Sequence, residues 1–256
     1  MKISVITVCY NSAATIADTL DSVAQQSWPQ VEHIVIDGAS TDGTLNIVKS
    51  RGRRMTRFVS GPDAGIYDAM NKGIAMATGD VIGLLNADDV YADADVLAHV
   101  AKKFEASNLE AVYGDVVFFK SSKPHKIIRR YNSGRFSPDK LAWGWMPSHP
   151  ALLLRREIYQ RIGPFNTTYR IAGDFDFIIR AFGNGQLRYE YVPEVWVKMR
   201  AGGISTGGLR NTILLNREVL RACRENGVKT SIFKILSKYP AKLLELLILG
   251  SPPSRG

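Results

Sequence analysis

The sequence predicts an α/β fold: a mostly parallel sheet flanked by helices, then a β-rich region and a C-terminal helical extension. Three observations carry this. From Ile3 to Leu85 short apolar stretches alternate with amphipathic helical patterns, the order that builds a parallel sheet. The stretch Val81-Ile82-Gly83-Leu84-Leu85 is apolar or glycine throughout, as in a strand buried on both faces. Beyond residue 110, two strand patterns follow one another with only a polar turn between them.

The elements follow in order. Ile3 to Cys9 reads as a strand, Thr15 to Gln26 as a helix with Ile16, Leu20 and Val23 on one face, and His33 to Ile36 as a second strand, a βαβ opening. A helix over Thr41–Ser50, a short strand over Arg57–Ser60 and a helix over Ile66–Ala77 ended by Gly79 lead to the Val81–Leu85 strand. A helix over Val96–Ala106, capped by Asp95 or Asp93, precedes strands Ala111–Phe119 and Lys126–Tyr131. An aromatic loop (Trp143-Gly144-Trp145-Met146-Pro147) and an apolar run, Pro150–Leu154, come next. After them the pattern gives a helix over Arg156–Ile162 closed by Gly163-Pro164 and another over Phe175–Phe182. Two strands, Leu187–Val192 and Val195–Arg200, precede a Gly202-Gly203 break, a long helix over Leu209–Glu225, and a helical segment, Ser231–Leu249, interrupted by Pro240. The proposed division is a catalytic domain over residues 1–206, with a nucleotide-binding part over 1–118 and an acceptor-binding part over 119–206, then an extension over 207–256.

With 256 residues and 45% hydrophobic content, the chain has ample material for a core. Cys9 and Cys223 are its two cysteines and form neither a disulfide framework nor a metal spacing. Together with a strand at the very start, where a signal peptide would lie, this leads to an expected cytoplasmic location. No run reaches the roughly 18 apolar residues of a spanning helix. The net charge of +9 lies mostly beyond Lys120, whereas the N-terminal half carries the acidic patterns. Nucleic-acid binding is set aside, because no basic binding pattern is recognisable and the acidic cluster repels phosphate in the absence of a metal.

The apolar strand runs through Asn86-Ala87 into Asp88-Asp89. Two carboxylates where a buried strand emerges at its carboxyl end are placed for ligands of an open α/β sheet. Hard oxygen ligands there suit Mg²⁺ or Mn²⁺, held by one or two carboxylates and the phosphates of a substrate. The expected ligand is a nucleoside diphosphate compound.

Four segments carry a resemblance to a known family: Thr7-Val8-Cys9-Tyr10-Asn11-Ser12, Val35-Ile36-Asp37-Gly38-Ala39-Ser40-Thr41-Asp42-Gly43-Thr44, Asn86-Ala87-Asp88-Asp89, and Ala172-Gly173-Asp174-Phe175-Asp176 with Arg180. Together these resemble glycosyltransferase family 2, inverting enzymes with the Rossmann-like fold called GT-A. The resemblance implies nucleotide-side contacts from Thr7, Tyr10, Asn11, Asp37, Asn86 and Ala87, with Asp37 reading the nucleobase. It adds Asp68, Asn71 and Lys72 from the loop and helix Gly61–Gly73, whereas Asp42 reads as a cap or turn residue. Asn86 replaces the first acid of the usual Asp-x-Asp pattern, so Asp88 becomes the direct metal ligand, with Asp89 beside it. Asp174 matches the general base.

On the acceptor side the candidates are His149, Trp145, Asp176 and Arg180. Asp176 points away from Asp174, because helical neighbours share a face at three or four residues rather than two. The implied reaction moves one sugar from a nucleoside-diphosphate donor, a UDP-sugar by default, to an acceptor hydroxyl with inversion. Met146-Pro147-Ser148-His149-Pro150 is similar to bacterial colanic-acid and exopolysaccharide-type transferases, which implies a lipid-linked glycan acceptor in surface polysaccharide synthesis. Lys234, Lys238 and Lys242 alternate with Ile232, Phe233, Ile235, Leu236, Leu243, Leu244, Leu246 and Leu247, the composition of a helix lying on an anionic membrane surface. Peripheral attachment to the inner face of the cell membrane is therefore expected. The rival reading, a nucleotidyltransferase that makes sugar nucleotides, lacks the glycine-rich N-terminal loop with a basic residue that binds a triphosphate.

Overall fold

The computed structural model describes residues 1–51, 54–202 and 208–237. The Gly203 half of the glycine break, the Pro240 interruption and the basic-apolar pattern from Lys238 to Leu247 lie outside the described residues.

Strands β1 (Ile3–Cys9), β2 (Val31–Asp37), β3 (Met55–Ser60) and β4 (Val81–Leu84) alternate with helices α1 (Ile16–Ala24), α2 (Thr44–Arg51) and α3 (Ile66–Met76). They lie side by side in the order β3-β2-β1-β4, all parallel. Beyond β4 the direction changes. The run read only as apolar supplies β8 (Leu152–Arg155), which pairs antiparallel with both β4 and β6 (Ala111–Lys120). On the other side of β6, β9 (Tyr189–Arg200) runs parallel to it. A short β5 (Asp89–Tyr91) and a hairpin partner β7 (Lys123–Tyr131) pair antiparallel with β9 and β6 respectively.

Every residue of β1 and β4 is buried, because helices cover both faces and successive side chains alternate between them. Ile6, Val8, Ile34, Ile36, Ile82 and Leu84 face a core shared with α3, α5 (Arg156–Ile162), α6 (Gly173–Phe182) and α7 (Leu209–Glu225). Ile3, Val5, Val81 and Leu85 face α4 (Val96–Ala106) instead. Cys9 and Val35 close a smaller cluster with Ile16 and Leu20 of α1 and Val48 of α2. Both cysteines are buried, and neither is in a disulfide.

Among the boundaries that differ from those read in the sequence, three bear on the site. The two strands after residue 187 are one, β9, whose register against β6 shifts between Tyr113 and Asp115; Pro193 lies in the slack, where a missing N–H removes no ladder bond. Helix α2 begins at Thr44 rather than Thr41, because Asp42 turns the chain first by accepting from the Thr44 N–H at 2.9 Å. Helix α6 begins at Gly173 rather than Phe175, so Asp174 lies inside the first turn and not at the N-cap. The final short helix, α8 (Ile232–Leu236), is capped by Ser231 Oγ, which accepts from the Lys234 N–H. Among the described residues no helix is long and apolar enough to cross a membrane.

Candidate active site

Because β3, β2, β1 and β4 are parallel neighbours, their carboxyl ends open on one edge, and the chain leaving each strand enters that edge. The Asn86–Asp89 turn stays beside β1, since the Leu85 N–H donates to Ile6 O at 2.9 Å and the Ala87 N–H to Val8 O at 3.3 Å. The loops after β1 and β2 hold the two non-glycine residues with left-handed backbone among the described residues, Asn11 (φ 48°) and Ala39 (φ 62°). Asparagine tolerates this region but alanine does not, and such a residue costs about 1–3 kcal/mol. The two loops hold one another in place. The Asn11 N–H donates to Ser40 Oγ at 2.7 Å, Ser12 to Thr44 Oγ1 at 2.8 Å and Ala13 to Asp42 Oδ2 at 3.0 Å, while Asn11 Oδ1 accepts from the Thr41 N–H at 2.9 Å. Asp42 is thus the turn residue that the sequence suggested. Tyr10 stands 64% exposed between these loops.

Asp37, at the end of β2, is fully buried and already engaged. Its carboxylate accepts from Ser40 N at 3.0 Å, Ser40 Oγ at 2.5 Å and Ser60 Oγ at 2.7 Å. Burial raises its pKa and these hydrogen bonds lower it further, so the net shift is downward and the group stays ionised. A second carboxylate arrives at the same strand end. A Cβ built on Gly38 would come within 2.5 Å of Asp63 Oδ2, so the missing side chain at position 38 is the space Asp63 occupies. Thr7 lies deeper in β1, buried, with its hydroxyl 3.0 Å from His33 Nε2. Asn71 is tied to the 165 loop through Phe165 O at 2.9 Å and Phe165 N at 2.8 Å. Lys72 pairs with Asp68 at 2.9 Å and donates to Pro62 O. These three residues brace the edge, with Asp68 also fixing the loop by accepting from the Ala64 N–H at 3.0 Å.

The acid pair sits where the sequence placed it. Asp88 is half-buried and Asp89, at the start of β5, is 1% exposed. Burial pushes both carboxyls up, Asp89 well above the ordinary range, with Asp88 adding to the effect on Asp89. Arg200, at the end of β9, opposes this on both. Its guanidinium pairs with Asp18 and lies over Phe119, yet its Nε is buried without a hydrogen-bond partner. Asp89 Oδ2 is likewise buried and without a partner. Buried polar atoms are nearly always satisfied, so two orphans beside one turn mark a place for a ligand. No group of three metal-ligating side chains exists among the described residues, which suits an ion held by one or two carboxylates plus substrate phosphates.

Helix α6 brings Asp174 to the same side through Tyr67. That ring would meet a Cβ on Gly173 at 2.7 Å, and its hydroxyl donates to Ile171 O at 2.6 Å. Since Tyr67 is on α3, which begins at the strand edge, Asp174 is held next to it. Asp174 is partly exposed, and desolvation lifts its pKa to about 6, against a weaker opposing hydrogen bond from the Phe175 N–H. A carboxyl tuned there suits proton transfer near neutral pH.

Of the acceptor-side candidates, His149 is buried edge-on to Phe165 at 5.8 Å, and burial drives its pKa down to about 4. Trp145 lies 6.4 Å from Tyr131. Asp176 and Arg180 form a pair at 3.0 Å; Asp176 also accepts from Asn226 at 2.9 Å, and Arg180 donates to Ile162 O and Pro164 O. Their hydrogen-bonding groups therefore knit α5, α6 and α7 together and do not face the edge. The sequence reading did not single out Tyr67, Asp63 or Arg200. Gly38 opposite the Asp63 loop, and an arginine closing a predicted strand, were the available signals.

A mixed α/β sheet flanked by helices, with an acid pair at the open ends of its parallel strands, matches the GT-A glycosyltransferase fold. Comparison with known proteins gives the family. The family model "Glycosyl transferase family 2" matches residues 4–164, and the chain belongs to that family and is a glycosyltransferase. The match takes in the parallel strands and the acid pair and ends before Asp174. Proteins named "PGL/p-HBAD biosynthesis glycosyltransferase" from Mycobacterium bovis and Mycobacterium tuberculosis are 37% identical over 228 residues, covering 85% of this chain and 82% of theirs. Among solved structures, Staphylococcus aureus TarS 1–349 in complex with UDP-GlcNAc aligns with a TM-score of 0.70 at 19% identity, over 98% of this chain and 74% of that one. The chain spans 40% of a longer TarS structure. The mannosyltransferase PcManGT from Pyrobaculum calidifontis, in complex with GDP-Man and Mn²⁺, aligns with a TM-score of 0.65 at 22% identity, over 98% and 76%.

Proposed function

We propose that this glycosyltransferase takes its sugar from a nucleoside-diphosphate donor, a UDP-sugar by preference, and moves it with inversion to a hydroxyl of a lipid-linked glycan in bacterial surface polysaccharide synthesis. The observation that carries the donor half is the Asp88–Asp89 turn, with its buried, unpartnered Asp89 Oδ2 at the start of β5. Asp88 and Asp89 are the residues that would hold Mg²⁺ or Mn²⁺. A cation bound there supplies positive charge against the departing diphosphate. Tyr10, exposed beside the β1 and β2 ends, offers a ring for the nucleobase, and Asp63 a carboxylate for its N–H donors. Asp37, Asn11, Asn71 and Lys72 then act by shaping the loops that present these groups.

Asp174 takes the proton of the acceptor hydroxyl as that oxygen bonds to the anomeric carbon from the face opposite the diphosphate. The bond from carbon to phosphate oxygen breaks, and the electron pair leaves with the nucleoside diphosphate. The complexes of TarS with UDP-GlcNAc and of PcManGT with GDP-Man and Mn²⁺ support such a donor. The mycobacterial relatives' name supports a biosynthetic glycosylation.

The location reading rests on the α8 surface. Phe233 is 83% exposed, with Ile232, Leu236 and Trp143 also open and Lys234 lying 5.4 Å over the Trp143 ring. Aromatic and basic groups together suit an anionic interface.

Calorimetric titration with UDP, GDP and dTDP, with and without Mn²⁺, tests the donor site on wild type, Asp88→Ala and Asp89→Ala. Mn²⁺-dependent binding of one nucleotide, lost in both variants, is expected. Binding of none by the wild type, or equal binding by the variants, overturns the reading. Co-sedimentation with phosphatidylglycerol vesicles, reduced in Phe233→Ser, tests the membrane half; no sedimentation of the wild type refutes it.

A further inference from the structure

Asp174 sits two residues after a bend whose amide groups have no partner in their own helix. Arg170, Ile171 and Ala172 precede α6, and the first N–H groups of a helix and its approach need an outside acceptor. Ala172 occupies the N-cap position and has no side chain that can accept. The acceptor comes from another element. Glu218, on α7 and only 8% exposed, accepts from Arg170 N at 2.9 Å through Oε1 and from Ile171 N and Ala172 N at 2.8 Å each through Oε2. One carboxylate thus holds three consecutive amides. Its neighbours on α7 grip the same strap: Glu225 accepts from Tyr169 OH at 2.7 Å and Arg221 donates to Thr168 Oγ1 at 2.9 Å; just past α7, Asn226 donates to Asp176 Oδ1 of α6 at 2.9 Å.

On the reading that Asp174 is the base, we infer that Glu218 is the positioning residue that holds Asp174 at the strand edge, so that α7 is part of the catalytic machinery. Opposite Glu218, Tyr67 fixes the bend from the other side by donating to Ile171 O, so the peptide groups before Asp174 are held at both N–H and C=O. Charge supports the same link. The groups facing Asp174 are Tyr67 of α3 and Glu218 of α7; burial is the main cause that raises the Asp174 pKa, and the Glu218 charge adds a smaller part. Removing it lowers that pKa. Since the base acts deprotonated, the acid limb of the rate profile then moves to lower pH.

The experiment compares wild type, Glu218→Gln and Glu218→Asp in release of nucleoside diphosphate from UDP-N-acetylglucosamine and GDP-mannose across pH 4–9. Glutamine keeps the shape but has one acceptor oxygen, so at least one amide loses its partner. The expected result for Glu218→Gln is a kcat lowered on the order of 10²-fold, as for a misplaced catalytic group, with donor KM unchanged and the acid limb at lower pH. Glu218→Asp retains the charge but shortens the reach, so kcat falls while the limb moves less than in Glu218→Gln.

A kcat and limb in Glu218→Gln equal to wild type overturn the inference. Hydrogen exchange on the wild-type protein needs no variant to fold: the 170–172 amides must exchange as slowly as the α6 interior, and fast exchange also overturns it. If the wild type releases no nucleoside diphosphate from either sugar, the donor reading fails. The exchange rates and an NMR titration of the Asp174 carboxyl in Glu218→Gln then decide the positioning role by themselves.

Discussion

Replacing Asp174 by asparagine should stabilise the fold at neutral pH while removing turnover. Burial raises the carboxyl's pKa from its ordinary 3.8 to about 6 in the folded protein, so ionising it in place is opposed. Two pH units correspond to about 3 kcal/mol. Solvent reaching the partly exposed group screens some of that, leaving about 1–3 kcal/mol. The sign follows from proton uptake. Between pH 3.8 and 6 the native state holds a proton that the unfolded state has released, so stability falls as pH rises through that window. Below pH 3.8 both states are protonated and the substitution is neutral; above 6 its benefit is complete. Asparagine keeps the oxygen that accepts from the Phe175 N–H. In a domain of this size each kcal/mol moves Tm by roughly 2–4 °C. Thermal unfolding of both proteins at pH 4 and pH 8 is the assay. A higher Tm for Asp174→Asn at pH 8, shrinking towards zero at pH 4, is expected; equal or lower stability at pH 8 refutes the raised pKa.

Two further substitutions test the frame. In Gly73→Ala the new Cβ would lie 2.3 Å from Ile6 Cγ2. This overpacking outweighs the helix propensity that alanine gains and should cost up to about 2 kcal/mol net, read as a lower urea midpoint with an unchanged slope; an unchanged midpoint contradicts the close α3–β1 contact. Asp176→Ala leaves Arg180 without its carboxylate and Asn226 without its acceptor, a loss of roughly 2–4 kcal/mol softened by the carbonyls that Arg180 retains. Nucleotide binding measured by calorimetry should be untouched, and a Kd change at constant stability would place Asp176 in the site instead.

What could be read in the sequence was what local chemistry imposes. The parallel half was legible because β1 and β4, buried on both faces, are largely apolar, and the amphipathic stripe of Ile16, Leu20 and Val23 is buried as its spacing requires. The acid pair was legible because an apolar strand points it. The antiparallel half was not: Leu152–Arg155 becomes a strand only because β4 and β6 leave a gap that it fills. Pairing across about 70 residues leaves no local trace beyond a short apolar run, which fits a helix as well as a strand. Side-chain roles split the same way. Asp37 and Asn71 matched the family pattern, yet their hydrogen bonds are engaged in holding loops, a fact that depends on Ser60 and Phe165, residues distant in sequence. Asp63 and Glu218 matter through what they meet, Gly38 and the 170–172 amides.

That division has a mechanical consequence. The groups suited to the donor sit on the rigid ends of four parallel strands, whereas the carboxyl suited to the acceptor proton rides on α6, which belongs to a different part of the chain. One contact joins them, and a second, unrelated one holds the same bend. Tyr67, rooted in α3 at the strand edge, stacks 5.8 Å from Phe165 and bonds to Ile171 O, and Glu218 closes the same bend from α7. On the proposed reading of Asp174 as the base, its carboxyl is raised by burial to about 6 and favours water once ionised, so its backbone must be held in place. The bend before Asp174 meets that condition with a carbonyl held from one side and three amides from the other. On the proposed reading of Asp174 as the base, the catalytic unit therefore extends through α7, whose Glu218 holds the bend before it.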